Sequence, residues 1–344
     1  MSKLATFAIL TVFSALGVCQ QSRARDNPAE QGLVQQADAL IRQGQFAEAI
    51  QLLQKESSAG QLVKGAQREL GIAYYRSGQL LEAEKSFRAA MTEDATDLES
   101  VQLLGLTLYR LNKRSEAVQY LERAREWSEL SNMDANYVLG RCYIDAHRFD
   151  DARAAFAEQY NLEPGSGAAH LLLAQMLLRE ERADDAAVEA KKALDLSPGI
   201  ALAHFALGKI YLAKGSMSDA LKEFESELKV NPTYPPLYQF LGDLYIRTSK
   251  YRDAEHALTK ALSLDQSSTG PFILMGKLFL SDNDPQTAST YLEHAEQMDS
   301  SNFITHYLLA QSYRKMGKKD MAKREFDIVS TMHSGALSND ISPK

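Results

Sequence analysis

A 34-residue period runs through most of this 344-residue chain and constrains its fold more than any other feature. A small residue recurs at one position in steps of 34, with a single step of 35, and a second position is always alanine with the same steps. Because two separate positions share one period, the sequence predicts nine copies of one structural unit over residues 33–330. The first position is occupied by Ala37, Gly71, Gly105, Gly140, Ala174, Gly208, Gly242, Gly276 and Ala310, and the second by Ala49, Ala83, Ala117, Ala152, Ala186, Ala220, Ala254, Ala288 and Ala322.

Residues 201–232 give the clearest copy of the unit. Apolar residues at spacings of three and four form one stripe on each side of Gly215, which predicts two amphipathic helices joined by a turn. Pro232 ends the second helix because proline supplies no amide hydrogen. Gly208 and Ala220 are expected to lie where the two helices cross closely. Neither helix can bury its stripe alone, so the units must stack on one another.

This copy resembles the tetratricopeptide repeat (TPR) family, with His204 in place of the leading tryptophan of the motif. The resemblance covers roughly residues 30 to 330. It implies an all-α fold, a right-handed TPR superhelical solenoid of about nine helix–turn–helix repeats. It also implies that the first helices line a concave groove for peptides or partner proteins. The matching residues are Leu207-Gly208, Tyr211, Ala220, Phe224 and Pro232, at the offsets L-G, Y, A, F and P.

By analogy with the family, the groove positions lie three residues before and one residue after the small residue of each repeat. From repeat four onward these positions give an apolar or aromatic row beside a polar, mildly basic row, which is how a peptide groove should look. The basic members favour a partner with acidic groups. The alternative is that the apolar row packs adjacent first helices. The predicted partner-binding residues are Tyr137, Arg141, Leu171, Gln175, Phe205, Lys209, Asp243, Ile273, Lys277, Tyr307 and Gln311.

Catalytic, metal and cofactor sites find no support in local spacing. His170, His204 and His306 occupy the position of the leading tryptophan, so we interpret them as packing residues. The lysine–asparagine pairing of the chaperone-binding carboxylate clamp is missing, and that function is not carried over. The net charge of −7 argues against nucleic acid as a partner. We therefore predict a non-enzymatic scaffold or adaptor that binds a peptide or partner helix and needs no cofactor.

The two ends of the chain are predicted to lie outside the solenoid. Residues 1–24 resemble a signal peptide, because a lysine precedes an apolar stretch that is short for a spanning helix. Residues 25–32 read as a polar lead-in and residues 331–344 as a disordered tail. We expect export to the periplasm or secretion; the oligomeric state is left open.

Cys19 provides an alternative reading of the leader. Leu16-Gly17-Val18-Cys19 resembles a lipoprotein box, although valine departs from the small residue usual before the cysteine. Lipidation there would make the chain a membrane-anchored assembly factor of the cell envelope, of the pilus or secretion-machinery type. The other cysteine, Cys142, is predicted to be a small buried residue in repeat four. A basic run at residues 314–324 is expected to be a solvated cap, with anionic lipid headgroups as the alternative contact.

Overall fold

The computed structural model describes residues 28–58, 63–125 and 132–340, and every regular element within them is an α-helix. The eighteen helices form nine antiparallel pairs, which confirms the predicted all-α repeat architecture. They fall into two compact units, Met1–Ser128 with three pairs and Glu129–Lys344 with six. In the described parts of the chain, no helix has the length and apolar character required to cross a membrane.

The first unit contains α1 Pro28–Arg42, α2 Phe46–Ser58, α3 Ala66–Arg76, α4 Leu80–Glu93, α5 Leu98–Arg110 and α6 Arg114–Ala124. The second contains α7 Asn132–Asp145, α8 Phe149–Gln159, α9 Gly167–Arg179, α10 Ala183–Leu196, α11 Ala203–Ala213, α12 Met217–Val230, α13 Pro235–Arg247, α14 Tyr251–Leu264, α15 Thr269–Ser281, α16 Pro285–Met298, α17 Phe303–Lys315 and α18 Lys319–Asp340. Within each unit every second helix packs against its own first helix and against the next one.

The glycines of the repeat mark the close crossing within each pair. A Cβ atom added to Gly208 would lie 2.3 Å from the ring of Phe224, which is inside van der Waals contact. One added to Gly276 would lie 2.3 Å from the Leu292 side chain. The small residue is therefore required because a large side chain of the second helix lies directly over it. Because this close contact recurs wherever the position is glycine, it fixes how the second helix of each such pair is aligned along its first helix.

The turn between the two helices has the same backbone conformation in every repeat. Gly215, which lies in the predicted turn, has φ +74°. A residue with positive φ occupies the equivalent turn in all nine repeats, and in five of them it is not glycine, although a side chain is disfavoured there. The turn is thus imposed by the packing of the helices on either side. These residues are Gly44, Gly78, Asn112, His147, Glu181, Gly215, Ser249, Asn283 and Gly317.

Two predicted boundaries differ from the structure. Helix α1 begins at Pro28, inside the segment read as a polar lead-in. Helix α18 continues to Asp340, so residues 331–340 of the predicted disordered tail are helical. The physical reason is that no proline interrupts residues 319–340, and a helix once formed extends at little cost. The signal-peptide prediction, Cys19 and the extra residue behind the 35-residue step fall on residues 1–27 and 126–131, outside the described residues.

Several smaller predictions are confirmed. Cys142 is a buried free cysteine with 1% of its surface exposed. Lys323 and Arg324, which belong to the basic run expected to be a solvated cap, are exposed, and so is Asp327 on the same helix. The other members of the basic run at residues 314–324 are exposed as well: two on α17, one in the following turn and one at the start of α18.

One carboxylate in the first unit should make stability depend on pH. Burial raises the pKa of Glu69 to about 7, partly offset by Arg68, whose guanidinium lies 3.4 Å away. The folded chain therefore holds a proton there that the unfolded chain, with an ordinary value near 4.5, has released. Stability from this group is complete below pH 4.5 and is lost as the pH rises through 7.

We expect Glu69→Gln to become more stable relative to wild type as the pH rises from 5 to 8, by about 2 kcal/mol. Urea unfolding of the two proteins across that range measures the difference, and other titrating groups cancel because both proteins share them. Two stability curves that stay parallel over the whole range would contradict the assignment.

Candidate functional site

The apolar row predicted from the repeat is largely buried. Phe205, Leu171 and Ile273 are only 8%, 7% and 9% exposed. The ring of Phe205 meets Tyr234 edge-on at 5.2 Å and Phe240 at 5.3 Å between centroids. These three side chains therefore do not form an exposed apolar row, and their contact with a partner stays a prediction.

The burial of this row has a common cause in the stacking of repeats. Leu171 on α9 packs against Ala203 and Ala206 at the start of α11. Ile273 on α15 packs in the same cluster as Leu308 on α17. The position three residues before the small residue is thus covered by the next repeat along the second unit. The alternative reading, packing between adjacent repeats, describes these residues.

In the last repeat the predicted aromatic groove residue, Tyr307, is exposed to solvent. No further repeat covers α17 within the described residues, and Tyr307 is 43% exposed. Its ring lies parallel to that of Phe303, with centroids 6.4 Å apart, and Ile304 beside them is 54% exposed. Tyr137 at the other end of the row is half-buried against Phe156. Phe303, Ile304 and Tyr307 therefore form an exposed apolar patch, the repeat-nine patch.

Most charges in the polar row are neutralised within the protein. Arg141 pairs with Glu180, one repeat further along. Lys277 Nζ lies 2.9 Å from Asp243 Oδ1, and Arg247 Nε lies 2.7 Å from the other oxygen of the same carboxylate. Gln175 and Gln311, also in this row, are half-buried. This row is polar but carries little free charge at these points.

Lys209 differs from the other members of the polar row. Its ammonium lies over the rings of Phe205 and Phe240, 5.8 and 5.9 Å from their centroids. Burial, and after it the charge of Arg179, lowers the pKa of Lys209. In the part of the chain that the structure describes, neither Lys209 nor Arg179 has a carboxylate within salt-bridge distance. Two like charges on neighbouring first helices thus form a positive spot that an external carboxylate would neutralise.

Three histidines predicted as packing residues are held by glutamates. In each case Nδ1 lies 2.6–2.7 Å from a carboxylate oxygen of the residue nineteen positions later, on the second helix of the same repeat. His170 and His306 are buried and His204 is half-buried. In the sequence, each of these histidines is followed nineteen residues later by a glutamate. A separation this long belongs to no local motif, so the sequence analysis did not find the pairs. The pairs are His170–Glu189, His204–Glu223 and His306–Glu325.

Only the pair in repeat nine has a second carboxylate beside it, among the described residues. One ligand atom each of Glu296, His306 and Glu325 lies within 4.8 Å of the others. The residues come from α16, α17 and α18, so no sequence spacing brings them together. The sequence does show that Glu296 is unusual, because repeats five to seven have a leucine at that position. These residues are Leu194, Leu228 and Leu262.

A further buried carboxylate joins the two helices of repeat six. Glu227 is 0% exposed, and its two oxygens accept hydrogen bonds from the amides of Leu202 at 2.8 Å and Phe205 at 3.2 Å. Leu202 has φ +72° and immediately precedes α11. Glu227 on α12, the second helix of the same repeat, thus caps the N-terminus of α11, where negative charge is favoured. The sequence analysis did not find it; the equivalent residues of the neighbouring repeats are alanines.

Comparison with protein-family models agrees with this architecture. Models described as tetratricopeptide repeat match residues 34–97, 143–199 and 189–235, and also 235–268 and 305–327. A model described as anaphase-promoting complex, cyclosome, subunit 3, matches residues 76–159.

Individual relatives are distant or short. A lysine–tRNA ligase of Halobacterium salinarum is 47% identical over 45 residues, which are 13% of this chain and 8% of the ligase. Among solved structures, a tetratricopeptide repeat protein from Parabacteroides merdae is 18% identical, with TM-score 0.42, covering 72% of this chain and 97% of its own. YrrB, whose structure is described as a TPR protein with an unusual peptide-binding site, is 18% identical, with TM-score 0.44, covering 56% and 98%.

Proposed function

We propose, because this chain belongs to the tetratricopeptide repeat family, that it is a non-enzymatic scaffold for protein–protein interaction. Membership of the family supports the scaffold role in general. The proposal goes further and assigns the binding to the first helices of the second unit. There a peptide or partner helix would contact the side chains that stay accessible after the repeats have stacked.

The observation that carries this proposal is the positive spot of Lys209 and Arg179. Other charges of the polar row are balanced by partners inside the chain, as Lys277 is by Asp243. A cation resting on two aromatic rings without a carboxylate is costly to keep partly buried. A partner's carboxylate would supply the missing charge and form a charge-assisted hydrogen bond. The repeat-nine patch would add apolar area of the kind that binding hot spots use.

A charge reversal at the positive spot tests the assignment. Photo-crosslinking in cells from Tyr307, followed by mass spectrometry, first identifies the partner, with Val188 on α10 (52% exposed) as the control position. We then expect Lys209→Glu and Arg179→Glu each to weaken binding of that partner about 10-fold or more, the loss of one charge-assisted contact. Binding is measured by calorimetry with the purified partner.

Lys222→Glu is the matched control, because this lysine is 74% exposed on the second helix of repeat six. It should leave the affinity unchanged. Circular dichroism verifies that each variant is folded. Equal affinities of wild type, Lys209→Glu and Arg179→Glu would overturn the role of the positive spot. Crosslinked adducts from Val188 alone would show that the partner binds the second helices instead.

We also propose that the protein is exported, since residues 1–24 have the composition of a signal peptide. The second candidate function is a lipid-anchored assembly factor of the cell envelope, favoured by Leu16-Gly17-Val18-Cys19. The two differ in the mature N-terminus. Mass spectrometry of the protein from membranes and from soluble fractions separates them: an acylated Cys19 supports the anchor, and an unmodified terminus beyond it supports soluble export.

A further inference from the structure

We propose that Glu296, His306 and Glu325 bind a divalent transition-metal ion, Zn²⁺ in the first instance, at the junction of repeats eight and nine. Each residue offers one ligand atom, and these atoms lie within 4.8 Å of one another. Small side-chain movements would place a single ion between them at ordinary bond lengths of about 2 Å. None of its three ligands belongs to the positive spot or to the repeat-nine patch.

The hydrogen bonds of His306 favour this role. Its Nε2 lies 2.9 Å from the carbonyl oxygen of Ser300, an acceptor only, so this nitrogen carries hydrogen. Its Nδ1 faces Glu325 Oε2 at 2.7 Å. Between that nitrogen and the carboxylate there must be either a proton or a cation. A backbone carbonyl holding the far nitrogen of a metal-bound histidine is a common arrangement, because it fixes the tautomer and orients the ring.

The charge around His306 is the second argument. Glu296 and Glu325 together carry two negative charges, and a protonated His306 compensates only one. Glu296 accepts no hydrogen bond and forms no ion pair within 4.0 Å in the described residues. Glu293, on the same helix, accepts a hydrogen bond from Tyr313 at 3.0 Å and adds a further negative charge nearby. A divalent ion that displaces the proton would balance both ligand carboxylates.

The repeats themselves provide the third argument. His204 and Glu223 form the same pair in repeat six, at 2.7 Å, but the residue equivalent to Glu296 is Leu194. The histidine–glutamate pair is therefore sufficient for packing, and it does not require a second carboxylate. Glu296 replaces an apolar residue in a half-buried position of the stripe. A local rule broken at one repeat, without a gain in packing, is typical of a functional site.

The donor set selects the ion. One imidazole nitrogen and two carboxylate oxygens suit Zn²⁺ and related transition metals, whereas Ca²⁺ and Mg²⁺ prefer oxygen ligands alone. Three protein ligands leave the fourth tetrahedral position to water. Because the ligands come from α16, α17 and α18, the ion would tie repeat eight to repeat nine, and its binding would stabilise the folded chain.

The test is Zn²⁺ titration of the full chain after treatment with a chelator, by calorimetry and by metal analysis after dialysis. Wild type should bind one Zn²⁺ at this site, and Zn²⁺ should raise the thermal midpoint. Glu296→Leu restores the residue that repeats five to seven carry, so it should fold while its Zn²⁺ affinity falls at least about 10-fold. His306→Ala should lose the site altogether.

His204→Ala is the matched control, because it removes a histidine of the same pair type that has no second carboxylate beside it in the described chain. It should leave the Zn²⁺ stoichiometry and affinity of wild type unchanged. Wild type that binds no Zn²⁺, or equal Zn²⁺ binding by wild type and Glu296→Leu, would overturn the proposal. The second result would show that Glu296 is not a ligand of the bound ion.

Discussion

Replacing Phe224 with alanine is expected to destabilise the second unit by about 3–5 kcal/mol. Its side chain is 0% exposed and lies over Gly208, in the crossing of α11 with α12. The ring also lies 5.8 Å from Phe205 and 5.9 Å from Phe240, which belongs to the next repeat. The mutation therefore opens a cavity where a repeat closes and where two repeats join.

Urea unfolding monitored by circular dichroism measures this loss. Because each repeat contacts only its neighbours, weakening one junction of a solenoid should also broaden the transition or split it into phases. Phe303→Ala is the matched control, since this phenylalanine is 44% exposed on α17, and we expect it to cost less than about 1 kcal/mol. Similar losses for the two variants would contradict the packing role of Phe224.

Replacing Glu227 with alanine is expected to destabilise the second unit by about 2–5 kcal/mol, because the amides of Leu202 and Phe205 lose a fully buried acceptor. Alanine is the residue found at this position in the adjacent repeats, so the side chain itself is compatible with a TPR helix. The loss would come from Leu202 and Phe205, whose amides now donate to the carboxylate. Helix α11 should then fray at its N-terminus.

Hydrogen exchange of the Leu202 and Phe205 amides, read together with urea unfolding, measures the effect. Glu227→Gln retains one good acceptor and should lose about half as much stability as Glu227→Ala. Glu225→Ala, exposed on the same helix, should remain within about 0.5 kcal/mol of wild type. Unchanged protection of both amides in Glu227→Ala would show that Glu227 does not cap α11.

The repeat pattern predicted the pairing of helices because close contact between them restricts which residues can occupy the crossing. Gly208 can be no larger beneath Phe224, and the same exclusion recurs every 34 residues. The pattern did not reveal which first-helix side chains meet solvent. That depends on how closely the next repeat stacks, and α13 brings Tyr234 and Phe240 against Phe205. Only Tyr307, without such a neighbour in the described chain, kept the predicted exposure.

The polar residues of interest escaped prediction for a different reason. A period shows what all repeats share, whereas Glu227 and Glu296 each depart from it in one copy. Their partners lie on other helices, such as Leu202 for Glu227 and His306 for Glu296. Neither sequence spacing nor local helix propensity indicates that these glutamates contact those partners. The departures were visible in the sequence, but their meaning required the three-dimensional contacts.

Glu227 bears on how a chain of similar units avoids assembling wrongly. Repeats that share one crossing geometry can in principle stack in the wrong order or exchange between molecules, a characteristic failure of repeat proteins. A buried carboxylate is tolerated only where donors meet it, and the amides of Leu202 and Phe205 at the start of α11 donate to Glu227 on α12. If α12 packed on the first helix of another repeat, the charge would lose these two donors. The residue that departs from the repeat thus favours the pairing of α12 with its own first helix, a preference that the period alone does not encode.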